Sequence, residues 1–156
     1  ARNTQEGMNL TTASAMIGAW NALAKRSGKL QGHKGGFDEN AAPMRRTVAF
    51  AKDIKTSQLI ADTFPGLIAS HQETLREHAA LNGVSLHNVD LSVSSQHVDG
   101  GMNAMERGNK IAWLEASMDE DETRVLTNAR CLSEGVDVPR LAVGVYATAT
   151  STPLFF

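Results

Sequence analysis

The chain has 156 residues, 42% of them hydrophobic and 21% charged, with a net charge of −2. That length and balance fit one globular domain with a substantial core and exclude a disordered polyelectrolyte. No apolar run approaches the roughly 18 residues that a membrane helix needs. The single cysteine, Cys131, excludes an internal disulfide and a cysteine-rich metal site. It fits a reducing, cytoplasmic setting, and the opening "ARNTQEGMNL" lacks the basic-then-apolar order of a secretory signal.

The first predicted element is an amphipathic helix over "LTTASAMIGAWNALAKRSG", with Thr11 or Thr12 as its cap. Met16, Ile17, Trp20, Leu23 and Ala24 recur at i, i+1, i+4, i+7 and i+8, which puts them on one face. Gly28 supplies a stop, and the glycine-rich "GKLQGHKGGFDENAAP" predicts a flexible linker. Residues 1–43 are thus expected to be a helical arm and linker, and residues 44–156 a separate domain. That domain opens with a short strand in "RRTVAFAK". Asp53 caps a helix that ends at Pro65-Gly66, and a second helix covers "HQETLREHAALN" up to Asn82-Gly83.

Further along, "VSLHNVDLSVSSQHV" predicts extended chain, with the core strand in its last part. Asn103 and Glu106 have capping-box spacing for a helix through Ala116. Val125 and Leu126 form the next strand, which breaks at Thr127-Asn128-Ala129, and "LAVGVYA" forms one more. Strands alternating with helices predict an α/β fold: a mainly parallel sheet of about four to six strands between helical layers. In such sheets ligands bind beyond the carboxyl ends of the strands. Three loops meet that description: "AKDIK", "DGGMNAMER" and the segment after Leu126.

Charge is unevenly spread. Residues 1–50 carry seven Lys/Arg against three Asp/Glu, and the remainder eight against fourteen. Arg45 and Arg46 suggest a basic arm, to be weighed against an ordinary solvated surface. The five histidines show no zinc spacing and are read as surface or packing residues, and no metal site is expected. After Leu126, Thr127 and nearby amides suit a phosphate oxygen. Gly135 permits close approach, and Asp137 could accept from a ribose hydroxyl or a metal-bound water. On spacing alone a capped turn with a structural aspartate is the more economical reading. No G-x-x-x-x-G-K-[ST] phosphate loop occurs.

Three segments carry a family resemblance. "LTNARCLSEGVDVP" resembles motif V of superfamily-two helicases and translocases, in the form T-x-A-x-x-L-x-E-G-x-D-x-P. "RTVAFAKDIKTSQLIADTF" resembles motif IV. "HVDGGMNAMERGNKIAWL" matches the intervening G-x-M-x-x-x-x-R segment at Gly100, Met102 and Arg107. Order and spacing agree over roughly residues 44–139. The wording is closest to bacterial restriction-type helicases of the DEAD/DEAH-box kind.

The resemblance implies the second RecA-like domain of such a motor, facing DNA, with RNA as the open alternative. Thr127, with Asn128 beside it, would meet a phosphate of the bound strand. Lys52 and Asp53 would touch or brace the nucleic-acid backbone. Glu134, Gly135 and Asp137 would face the nucleotide, and Arg107 would fix its loop. ATP and Mg²⁺ would be held mainly by a first RecA-like domain, since this sequence has neither a Walker A lysine nor a D-E-x-[HD] box. Motif VI, a Q-x-x-G-R-x-x-R segment, is also absent, so the domain is expected to be incomplete at its C-terminal end. No catalytic residue is expected in this chain, and alone it should not hydrolyse ATP. The alternatives are a non-catalytic nucleic-acid- or protein-binding module derived from such a domain, or a stand-alone nucleotide-binding enzyme of another class.

Overall fold

The computed structural model describes residues 10–26, 42–83, 86 and 88–129. The expectations for Gly28, the linker, Cys131, the strand at 141–147 and Glu134, Gly135 and Asp137 lie outside the described residues. The elements are α1 (Leu10–Leu23), β1 (Arg46–Phe50), α2 (Ile54–Asn82), β2 (Ser92–Asp99), α3 (Ala104–Glu115) and β3 (Glu122–Ala129). The described strands form one parallel sheet in the order β1-β3-β2. No helix among the described residues is long and apolar enough to cross a membrane.

Strand alternation divides the core in two. On one face Ala49, Val93 and Val125 pack against Ile60, Phe64 and Ile68 of α2. On the other face Val48, Val98 and Leu126 pack against Leu114 of α3. The result is helix, sheet, helix, as the α/β reading requires.

The face predicted for α1 is the buried one: Met16, Trp20, Leu23 and Ala24 are inaccessible to solvent. The helix joins the α2-side core. The indole Nε1 of Trp20 donates to Leu91 O at 2.8 Å, and Met44 N donates to Leu23 O at 2.7 Å. α1 is therefore packed into the domain and is not an arm tethered to it. It also starts earlier than expected. Leu10 begins the helix, so Thr11 and Thr12 lie within it, and Thr12 is buried.

Two other expectations are corrected. The first is the break at Pro65-Gly66: α2 runs unbroken through both residues. A proline inside a helix removes the bond to the carbonyl four residues back and costs about 3 kcal/mol. Here that carbonyl, Ala61 O, accepts from Ser95 Oγ at 2.5 Å. Burial of Phe64 and Ile68 on either side holds the helix to the sheet. The second is the end of β3, which continues through Thr127, Asn128 and Ala129 because all three are paired with β2 and buried.

The predicted helix ends hold. Asp53 Oδ1 accepts from Thr56 N at 2.7 Å, and Asn103 Oδ1 accepts from Glu106 N at 2.8 Å. Gly83 closes α2 in the left-handed region, at φ 63°, with its N–H on Ala79 O.

Candidate functional site

Parallel pairing brings the three strand ends to one level. Phe50 is in register with Asn128, and Asp99 with Ala129. The loop after β1 leads to α2 on one face, and the loop after β2 leads to α3 on the other. The end of β3 lies between them, the position at which ligands bind in open α/β sheets.

Each sequence-predicted residue at this edge has a defined place. Lys52 and Asp53 are exposed at the entry to α2. Asp53 is held below the usual carboxylate range by hydrogen bonds from Thr56, with smaller contributions from the Lys52 and Lys55 charges. Thr127 and Asn128, by contrast, are fully buried. Thr127 Oγ1 faces inward, 2.9 Å from Ser57 O and 3.3 Å from Gln96 O, and 3.0 Å from Ser57 Oγ. Arg107 donates to Met102 O at 2.6 Å and so fixes the β2–α3 loop.

Sequence reasoning missed the side chains that join these loops. His97 is the register partner of Thr127. Its Nδ1 lies 2.6 Å from Ser57 Oγ and its Nε2 2.6 Å from Asp99 Oδ2. The bond from His97, followed by that from Gly101 N at 2.7 Å, holds the Asp99 carboxyl below the usual range. A side chain at Gly101 would bring its Cβ to 3.0 Å from Asp99 Oδ1, so glycine permits this approach. The chain of contacts Thr127–Ser57–His97–Asp99–Gly101 thus links β3, α2, β2 and the β2–α3 loop. The alternation of His97 and Asp99 on one strand face was visible in the sequence. The register that sets them beside Thr127 was not.

Serine, histidine and aspartate in contact invite comparison with a nucleophile–base–acid set. Ser57 is fully buried, and its oxygen contacts His97 and Thr127, so no substrate carbonyl can reach it. The cluster therefore supports the loops and carries out no acyl transfer. Beside it, along β2, a cleft of about 530 Å³ is lined by Gln58, Asp62, Gln96, His97 and Lys110 among others.

The basic residues noted at the start of the domain lie at the opposite edge of the sheet. Arg46 Nε donates to Leu114 O at 3.0 Å, and its Nη2 to Ala116 O at 3.1 Å and Glu115 O at 3.4 Å. Arg45 donates to Glu122 O, Met118 O and Asp119 O. These guanidinium groups satisfy the last carbonyls of α3 and the loop beyond it, where the helix dipole favours positive charge. They form neither a basic arm nor an idle solvated surface.

No protein-family model matches the chain. It is similar to the uncharacterized protein Rv2917 of Mycobacterium tuberculosis, 71% identical over 34 residues, or 22% of this chain and 6% of that protein. It is also similar to the uncharacterized protein ML1624 of Mycobacterium leprae, 35% identical over 113 residues, or 70% of this chain and 17% of that protein. The chain therefore spans only a small part of the relatives it matches. Among solved structures, the ATP-dependent Type ISP restriction-modification enzyme LlaBIII bound to DNA matches 94% of this chain. The TM-score is 0.67 and the identity 25%, and the chain covers 8% of that enzyme. Together with the parallel sheet of three described strands, this match agrees with the sequence resemblance: the chain has an α/β fold compatible with a RecA-like domain and is similar to part of a Type ISP restriction-modification enzyme.

Proposed function

We propose that the chain is the second motor domain of an ATP-dependent DNA helicase or translocase of the restriction-modification kind. The observation that carries this reading is the likeness of nearly the whole chain to an ATP-dependent enzyme bound to DNA. In this reading the carboxyl edge faces the nucleic-acid backbone. Lys52 supplies an exposed positive charge there, and Asp53 braces its loop through the α2 cap. Thr127 and Asn128 shape the root of the following loop from their buried positions. Glu134, Gly135 and Asp137 would complete the nucleotide-facing side, opposite a first RecA-like domain of the same longer protein.

ATP and Mg²⁺ would be held mainly by that other domain. Among the described residues no three His, Cys, Asp or Glu side chains come together to hold a metal ion. The sequence has no phosphate-loop lysine either. In this reading hydrolysis belongs to the two domains together, closing on ATP and shifting the bound strand.

Two measurements on the purified 156-residue chain test the proposal. Steady-state phosphate release should stay at background, and release above background would overturn the division of labour between domains. A single-stranded oligonucleotide should bind weakly, with affinity falling as salt rises. An affinity indifferent to salt would remove the assignment of the edge to the nucleic-acid backbone.

A further inference from the structure

A serine or threonine hydroxyl has one proton to donate, whereas main-chain carbonyls and an ionised carboxylate only accept. Thr127 Oγ1 lies 2.9 Å from Ser57 O and 3.3 Å from Gln96 O, so its proton is committed to a carbonyl. It can then only accept from Ser57 Oγ, at 3.0 Å. With the serine proton so directed, Ser57 Oγ is left to accept from His97 Nδ1, at 2.6 Å. On the other side of the ring, Nε2 faces Asp99 Oδ2 at 2.6 Å. Asp99 Oδ1 already accepts from Gly101 N, so both carboxylate oxygens act as acceptors. A neutral imidazole protonated on Nε2 could take the Ser57 proton at Nδ1 only by leaving the 3.0 Å contact between the Ser57 and Thr127 oxygens without a proton, whereas a doubly protonated ring supplies a proton to every contact.

We propose that His97 carries a proton on both ring nitrogens in the folded domain and is the positioning residue of the carboxyl edge. Through Ser57 it keeps the Thr127 hydroxyl turned inward. Through Asp99 it fixes Gly101 and the start of the β2–α3 loop. One ring therefore spans the roots of the loops on which the nucleic-acid reading depends. The ring is almost wholly enclosed, its side chain 9% exposed and that of Asp99 13%. The charged groups around it are Asp99 on its own strand, with Asp62 of α2 and Lys110 of α3 across the adjoining cleft. β3 contributes the uncharged Thr127. Such an enclosed pair is sustained only while both partners keep their hydrogen bonds.

The functional meaning rests on the proposed function, but the state of the ring does not. The test is a long-range ¹H–¹⁵N correlation spectrum of the ¹⁵N-labelled chain at neutral pH. The expected result is two His97 ring nitrogens of the protonated type. One protonated and one unprotonated nitrogen, the signature of a neutral tautomer, would overturn the proposal. Loss of signals in His97→Gln assigns them. If that variant does not fold, contacts of the wild-type ring with Ser57 and Thr127 assign them instead. Asp99→Asn should convert the ring to a neutral tautomer, and a ring still doubly protonated would overturn the pairing as its cause. Oligonucleotide binding by the wild-type chain is read separately. Its absence would sink the nucleic-acid reading and leave the ring signature standing, while a neutral ring sinks this inference whatever the chain binds.

Discussion

The two edges of the sheet use polar residues in opposite ways. At the amino edge Arg45, Arg46 and Arg124 direct their guanidinium groups at main-chain carbonyls of the α3–β3 connection, and Arg124 also lies over the Trp113 ring at 5.2 Å. At the carboxyl edge Ser57, His97, Asp99 and Thr127 contact one another beneath the surface, and Lys52 remains exposed above them. Among the described residues, the adjacent arginines Arg45 and Arg46 thus belong to the structural edge. The candidate binding edge is built from small polar groups, which are easily passed over in a sequence. Charge counted along the chain says little about function until the partner of each charge is known.

The largest effect that separates the edges is expected at Arg46. Arg46→Ala leaves three carbonyls of the α3 terminus without their donor, and hydrogen bonds to charged groups contribute about 1.5–3 kcal/mol. Stability in urea should fall by about 2–3 kcal/mol. Oligonucleotide affinity of the folded fraction should not change. A change in affinity at unchanged stability would reverse the roles of the two edges.

A smaller and more specific effect is expected inside α2. Ser95→Ala removes the donor to Ala61 O and should destabilise by about 1–2 kcal/mol. In a Pro65→Ala background the helix regains its own donor to that carbonyl, so the same substitution should cost about 1 kcal/mol less. Equal costs in both backgrounds would show that Ser95 does not compensate for the proline.

Acid should act on the carboxyl edge. The Asp99 carboxyl is held below its ordinary value of about 3.9. A group depressed in this way stabilises the fold above its unfolded value, and that stabilisation is lost as pH falls through the folded value. Stability should therefore decline as pH drops below about 4. Asp99→Asn should be less stable at neutral pH and show a shallower acid limb. An identical acid limb in the two proteins would show that Asp99 does not contribute to it.

Much of the frame was legible from local chemistry. The α1 face, the Asp53 and Asn103 caps and the Gly83 stop each depend on residues within a turn or two, and all were read correctly. The unread features depend on distant partners. Pro65 stays in its helix because of Ser95, 34 residues from Ala61. Arg46 reaches backbone atoms 68 or more residues away, which no side-chain pattern announces. His97 meets Thr127 only through strand register, and Ser57 meets both only because α2 lies across that face. Motif reading selected residues at the carboxyl edge of the sheet, where the fold buries the Thr127 side chain that the resemblance would place against a phosphate.

The smallest expected change in stability is at Lys52, which is exposed and should be replaceable by alanine within about 0.5 kcal/mol. That makes it the cleanest probe of the central claim. Fluorescence anisotropy of a labelled oligonucleotide should be followed over a salt series for the wild type and for Lys52→Ala. Binding should be weaker in the variant, and the logarithmic salt slope shallower by about one, the loss of one phosphate contact. Binding and slope unchanged from the wild type would contradict the assignment of the carboxyl edge to nucleic acid.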